Sequence, residues 1–353
     1  MPNTFSGRVL SWFDTHGRKD LPWQQYDTPY PIWLAEIMLQ QTQVKTVIPY
    51  FQTFMERFPT VFDLASAPED EVLHLWSGLG YYARARNLHR AAGQIVEAYQ
   101  GVFPSDQQGL ESLRGVGRST AAAIRAQAFG QKAAILDGNV KRVIARFYGI
   151  EGWPGKRAVE DSMWALTEAL LPEKRLRDYT QALMDMGALL CTRRSPMCEA
   201  CPVQGDCAAH QTGRTDQLPT RKPKAAVPTK ETLFLIVVNA QGDVLLEKRP
   251  PTGIWGGLWS FPESSTADLD DVLQRLSLPI ETGQAPIKLE AGEHVFSHYR
   301  LRYQPLLFST VDTGMSSKEV SEGGQRIWYS GERPQALGLA APVSRLLQQL
   351  QAR

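Results

Sequence analysis

This sequence predicts a two-domain protein, helical in its first part and α+β in its second. Three observations carry that reading. Apolar residues recur at three- and four-residue steps through much of positions 1–190. All the cysteines fall between positions 191 and 207, where the helical part closes. A Pro-, Lys- and Thr-rich connector at 211–230 then precedes β-branched runs separated by turn residues. The 353 residues suffice for two hydrophobic cores.

The helical period is clearest over 31–54, 69–77, 83–99 and 157–171. Beyond the connector, 232–238 is apolar and β-branched and reads as a strand. Asn239, Gly242 and Asp243 mark a turn, and 244–248 reads as the returning strand. Residues 253–262 are rich in Gly and Trp. A short helix is expected at 267–276, strands near 287–289 and 299–309, and a final helix at 343–351.

Hydrophobic residues make up 43% and charged residues 21%, an ordinary soluble composition. The longest strongly apolar run, 233–238, is far too short to span a bilayer. The N-terminus lacks a basic start, an apolar stretch and a small-residue cleavage site, so a cytoplasmic location is expected, with no membrane partner. The net charge of +1 does not announce a nucleic-acid binder; any DNA contact has to use local clusters.

Four residues, Cys191, Cys198, Cys201 and Cys207, are spaced C-x6-C-x2-C-x5-C. A disulfide framework belongs to small secreted domains, and the rest of this chain has no cysteine. Four thiolates in one loop can hold either zinc or an iron–sulfur cluster, and the spacing serves both.

Gly115 and Gly117, in Leu113-Arg-Gly-Val-Gly-Arg-Ser119, sit between two helical stretches. Glycines there let the backbone turn and point its N–H groups outward. A helix starting near Ser119 adds its positive end, so a phosphate can dock. Alone, the pattern is more often an ordinary helix–helix turn; Arg114, Arg118 and Arg125 favour the phosphate. Asp137 precedes a helix whose apolar face is Val140, Val143, Ile144 and Phe147. Its ordinary role is an N-cap. The helix dipole and nearby cations are also expected to keep it ionised, and a fixed anion suits a developing sugar cation. Glu36 has Ile32, Trp33, Leu39 and Gln40 one helical turn away. A helical glutamate is usually solvated, but these neighbours predict a desolvated carboxyl with a raised pKa, fit for general acid work.

In their order and spacing, these motifs resemble the endonuclease III superfamily of DNA glycosylases. Within it, PYPIWLAEIMLQQTQV at 29–44, WSGLGYYARARNLH at 76–89 and LRGVGRSTAAAI at 113–124 resemble the MutY family of adenine DNA glycosylases. The likeness runs through nearly the whole chain. It implies an all-α helix-hairpin-helix glycosylase domain with an iron–sulfur loop at 1–210, a linker at 211–230, and an α+β Nudix-like lesion-recognition domain at 231–353. The implied activity is excision of adenine mispaired with 8-oxoguanine or guanine in double-stranded DNA, the base being flipped into a pocket. The protein is expected to act as a monomer.

The same resemblance assigns residues. Glu36 is implied to protonate adenine at N7. Asp137 is implied to stabilise the oxocarbenium-like sugar through a transient adduct, and Asn139 to organise the site, in analogy with two-carboxylate glycoside hydrolysis. Trp23, Gln24 and Gln181 correspond to the adenine pocket, although many relatives carry arginine at the position of Gln24. Gln41, Thr42, Leu79 and Tyr81 correspond to residues that enter the duplex. Arg86, Gly115 and Gly117 correspond to DNA contacts. Ser119 stands where strand-cleaving relatives carry a lysine that attacks the sugar, which implies a monofunctional enzyme leaving an abasic site. Lys141 is left to DNA contact and to an occasional Schiff base. Phe296, Ser297 and His298 match the loop that senses 8-oxoguanine. The four cysteines are implied to hold a [4Fe–4S] cluster.

Three other readings compete. A pyrimidine-specific glycosylase/lyase of the same superfamily is opposed by Ser119 and by the second domain. A noncatalytic iron–sulfur redox sensor on DNA is opposed by the pair Glu36 and Asp137. A nucleotide pyrophosphatase is opposed by 253–278, where Glu263, Asp268, Asp270 and Asp271 form no R-E-x-x-E-E pattern.

Overall fold

The computed structural model describes residues 4–222, 227–276, 278, 285–296, 299–310 and 325–351. By their contacts, residues group into two units: Met1–Ser66 with Asn87–Lys224, and Ala67–Arg86 with Ala225–Arg353.

The first unit is helical. Its longer elements include Phe5–His16, Pro29–Leu39, Val44–Arg57, Arg118–Phe129, Gly138–Phe147, Arg157–Ala169 and Leu176–Asp185. Val140, Val143 and Ile144 turn inward, as their spacing predicts, and join Val9, Met163 and Leu183 in one buried cluster. The helical period over 31–54 is realised as two helices rather than one, Pro29–Leu39 and Val44–Arg57. Between them Gln41 takes a φ of 58°, in the left-handed region that is costly for a residue with a Cβ. Periodicity continues across such a break, because both helices bury apolar residues in the same unit. In the hairpin before Arg118–Phe129, Gly115 has a φ of 81°, and a Cβ there would meet that of Asn87 at 3.0 Å. Gly117 is extended (φ −100°, ψ 174°), a conformation open to any residue. Past Asp185 the chain runs through a π-helical turn, Met186–Leu190, into the cysteine loop.

The second unit carries a mixed sheet. Strand Thr229–Val238 pairs in parallel with Arg300–Ser309, in register from Thr229↔Arg300 to Val238↔Ser309. It pairs antiparallel with Val244–Lys248 and Glu263–Ser264. Alternate residues part to two faces. Leu235, Val237, Leu306 and Phe308 pack with Leu245 and Leu276, the last on helix Leu269–Leu276. Phe234, on the other face, stacks on Tyr303 at 4.9 Å between ring centroids. Strands Gly292–Val295 and Arg326–Tyr329 are only four residues long, which hides them in the sequence.

Helix Glu69–Leu75 also belongs to this unit. Asp70 pairs with Lys248 at 2.9 Å and accepts from Trp259 Nε1 at 3.3 Å. The guanidinium of Arg86 donates to the carbonyl of Gly256. Linear boundaries at 1–210 and 231–353 do not reveal this grouping, since Asp70 and Lys248 lie 178 positions apart.

Leu235→Ala should destabilise the sheet by about 2–5 kcal/mol, because the cavity lies under a central strand. Native-state hydrogen exchange of the Thr229–Val238 amides measures this; unchanged protection would contradict the packing described.

Candidate active site

A cavity of about 1040 Å³ opens in the first unit. Glu36 reaches it from helix Pro29–Leu39 and Asp137 from the start of Gly138–Phe147. Gln127, on Arg118–Phe129, donates its Nε2 to Glu36 Oε1 at 2.7 Å. Burial raises the Glu36 carboxyl to about 7, against the hydrogen bond from Gln127 and helped by the charge of Asp137. Asp137 is the N-cap of its helix and accepts from the Val140 N–H at 2.8 Å. Its pKa is raised by burial, against the N–H groups of Val140 and Asn139 and the charge of Arg142. The sequence weighs only the dipole and the cations, which favour the anion; desolvation is visible only in three dimensions.

A second charged group stands at the wall. Asp185 is fully buried and accepts from Arg18 three times: from Nη2 at 2.6 Å and Nε at 2.9 Å on Oδ1, and from the backbone N–H at 2.7 Å on Oδ2. Gln181 Nε2 donates to the same Oδ1 at 2.8 Å. Arg18 and Gln181 both line the cavity. Gln24 is not among the cavity-lining residues. Its amide accepts from Leu21 N–H at 3.1 Å and donates to Arg18 C=O at 3.0 Å. Gln24 thus staples the loop that presents Trp23, which is 2% exposed and lines the cavity.

The helix behind Asp137 also reaches the cysteines. Arg142 Nε donates to Cys191 C=O at 2.6 Å, and its Nη2 donates to Gly187 C=O at 2.5 Å and to Asn139 Oδ1 at 2.9 Å. One turn on, the buried Arg146 donates to Cys191 Sγ at 3.3 Å and Thr192 C=O at 2.8 Å. A Cβ on Gly187 would stand 2.6 Å from that of Asn139, so only glycine permits this approach. The four cysteines are unpaired and partly buried. The pKa of Cys201 is raised to about 11, first by burial and then by the charges of Cys191, Cys207 and Cys198, so the four sulfurs sense one another. Four thiols in one loop, one of them bonded by a buried guanidinium, fit an anionic iron–sulfur group, whose thiolate charge needs such compensation. Cys191, Cys198, Cys201 and Cys207 would hold such a cluster, which would cross-link 191–207 next to Thr192 and Arg193, both of which line the cavity.

The remaining residues disperse. Gln41, Thr42, Ser119 and Asn139 line the cavity. Ser119 Oγ accepts from Leu136 N–H at 3.0 Å. Lys141 lines a neighbouring hollow of about 580 Å³ and pairs with Glu160 at 2.6 Å. Leu79, Tyr81 and Arg86 belong to the second unit. Tyr81, with a φ of 50°, is half exposed, as a residue entering a duplex has to be. Leu79 is buried, and Arg86 is buried with its guanidinium on the Gly256 carbonyl; both side chains belong to this unit's packing. Phe296 lies among Trp255, His294 and Tyr299, with ring centroids 4.6–5.1 Å away. Ser297 and His298 lie outside the described residues. Glu263 is ion-paired with Arg249. Sequence reasoning missed Arg18, Gln127, Arg146, Asp185 and Gly187; the spacing of Arg142 and Arg146, one turn apart on a helix with an apolar face, is the signal that was available.

Comparison with known proteins agrees with this geometry. Residues 34–169 match the HhH-GPD superfamily base excision DNA repair protein family, 191–207 the iron-sulfur binding domain of endonuclease III, and 233–349 the NUDIX domain. The chain is 37% identical to the adenine DNA glycosylase of Buchnera aphidicola subsp. Acyrthosiphon pisum, covering 98% of this chain and 97% of that protein. The chain belongs to the adenine DNA glycosylase family. The human adenine DNA glycosylase is 36% identical over 85% of this chain and 66% of its own length. A thermostable thymine-DNA glycosylase shares the fold of the helical part, with a TM-score of 0.54 and 31% identity over 59% of this chain and 95% of that one. As an adenine DNA glycosylase, the chain is a DNA-binding enzyme of base-excision repair, and its cysteines are those of the [4Fe–4S] site; zinc is set aside. No helix among the described residues is long and apolar enough to cross a membrane.

Two consequences are measurable. Because its folded pKa is raised, Glu36 binds a proton more tightly in the folded state, so its contribution to stability falls as pH rises from about 4.5 to about 7. Glu36→Gln removes that loss and should be the more stable protein at pH 8, by on the order of 1–3 kcal/mol, but not at pH 4; thermal unfolding at both pH values checks this. Cys198→Ser should lower bound iron and visible absorption and weaken duplex binding by displacing Arg193. Iron content equal to that of the unaltered protein would contradict the assignment.

Proposed function

We propose that this glycosylase excises adenine opposite 8-oxoguanine, and also opposite guanine, and leaves an abasic site without cutting the strand. The observation that carries the chemistry is the pairing of Glu36 and Asp137 in one cavity, with Glu36 at a pKa of about 7. A carboxyl poised there is half protonated near neutral pH and delivers its proton to a ring nitrogen as the glycosidic bond breaks. Gln127 occupies Oε1 and so orients the acid. Asp137, anchored through its cap, faces the positive charge that grows on the sugar, and Asn139 is held beside it by Arg142. Water then attacks, with Glu36 as base.

Support for the monofunctional outcome comes from two positions. Serine stands at 119, with its hydroxyl engaged by Leu136 N–H, and the Lys141 amine is paired with Glu160. Recognition of 8-oxoguanine is assigned to the second unit, through Phe296 and its neighbours Ser297 and His298, and this assignment rests on the resemblance alone. The protein is proposed to act as a monomer in the cytoplasm.

A labelled duplex containing A:8-oxoguanine tests the reading. Breaks at adenine should appear only after alkali, faster than with A:G. The single-turnover rate should fall as pH rises through about 7, where the acid loses its proton. Glu36→Gln should bind the duplex and lose about 10²–10⁴-fold in excision. Breaks without alkali would point to a lyase instead.

A further inference from the structure

We propose that Asp185 is a positioning residue that fixes the polarity of the Gln181 amide, so that the cavity presents a hydrogen-bond acceptor to the flipped base and thereby selects a purine with an exocyclic amine. The inference rests on the adenine reading above and goes beyond it to the device that sets base preference.

The geometry leaves one arrangement. Asp185 and Gln181 lie four residues apart, on one face of helix Leu176–Asp185. Asp185 is fully buried and receives a guanidinium and a backbone N–H from Arg18. A carboxylate so engaged offers lone pairs only. The Gln181 group that meets it at 2.8 Å must therefore be the NH₂. Its carbonyl oxygen is forced to the opposite side of the amide plane. Gln181 is 5% exposed, and its open side is the cavity. An amide in a solvated wall turns over freely; this one cannot without setting its oxygen against a carboxylate.

The chemical consequence is discrimination. An acceptor suits the 6-amino group of adenine and repels the 6-oxo group of hypoxanthine. A donor in its place would reverse that preference. A site built to hydrogen-bond a substrate NH disfavours analogues that lack it. Burying an ion pair is a poor way to stabilise a fold, so its presence at this wall calls for another reason. Holding a neutral amide in one of two isosteric orientations is such a reason. Gln24 braces the same arrangement from behind by bonding the Arg18 carbonyl.

The test compares single-turnover excision of adenine and of hypoxanthine from otherwise identical duplexes, with the full-length protein. The ratio of the two rates, taken relative to the unaltered protein, cancels the intrinsic difference between leaving groups. Asp185→Leu has no acceptor, frees the amide, and should lower the ratio about tenfold or more. Asp185→Asn should keep the ratio within about twofold. Its oxygen stays on the Oδ1 side, because its NH₂ there would face three N–H donors, whereas on the Oδ2 side it meets only the Arg18 backbone N–H. Loss of the charge alone would affect both variants alike, so this pair separates polarity from mere structural support. Gln181→Leu, which removes the acceptor outright, should lower the ratio at least as far as Asp185→Leu, and the double variant should lose nothing more than Gln181→Leu. If Asp185→Leu does not fold, as judged by circular dichroism, Asp185→Asn and Gln181→Leu decide. A lost ratio in the first, or a full ratio in the second, overturns the proposal, as does a full ratio in folded Asp185→Leu. An unaltered protein that releases no adenine overturns the functional reading and this inference with it. Release of adenine with the variant pattern reversed overturns this inference alone.

Discussion

Two arginines one turn apart on helix Gly138–Phe147 tie the chemistry to the scaffold. Arg142 and Arg146 bond the backbone and sulfur of Cys191, the carbonyls of Gly187 and Thr192, and the side chain of Asn139. The same helix begins at Asp137. Cap, cavity wall and cysteine loop are therefore one mechanical object. Guanidinium forks suit this role because each serves several carbonyls from one rigid plane, which a lysine cannot do. Gly187 completes the constraint: any side chain there collides with Asn139.

On that frame the two carboxyls are tuned by burial more than by partners. Desolvation is the largest influence on both Glu36 and Asp137, and it acts upward on each. What distinguishes them is the opposition. Glu36 has one neutral amide to favour its charged form, whereas Asp137 has backbone N–H groups, a side-chain amide and the charge of Arg142. The proposed mechanism uses the group with less support, Glu36, as acid and the better supported one, Asp137, as anion. The third buried carboxyl, Asp185, is matched by Arg18 and spends its lone pairs on orientation instead.

The break at Gln40–Gln43 shows how strain is placed where function needs it. A left-handed Gln41 interrupts what would otherwise be a continuous helical pattern, and the loop so made lines the cavity. The positive φ of Tyr81, flanked by Gly78 and Gly80, does the same in the second unit and leaves an aromatic ring exposed.

The sequence by itself determined the two-part architecture, the helix behind Asp137, the strands 232–238 and 244–248, the cysteine cluster and the pair Glu36 and Asp137. All of these are local: they follow from period, from a cap before a helix, or from residues close in the chain. Only the tertiary structure decided the rest. Asp70 meets Lys248 and Arg18 meets Asp185 across 178 and 167 positions, and no local pattern records which distant segments will meet. Burial is likewise a property of the assembled fold. It turned Leu79 and Arg86 inward, spent both ends of Gln24 on the backbone, and raised the Asp137 carboxyl where dipole and cations alone would lower it. Residue type sets what a side chain can do, but the exclusion of water by remote neighbours decides which of those capacities it uses.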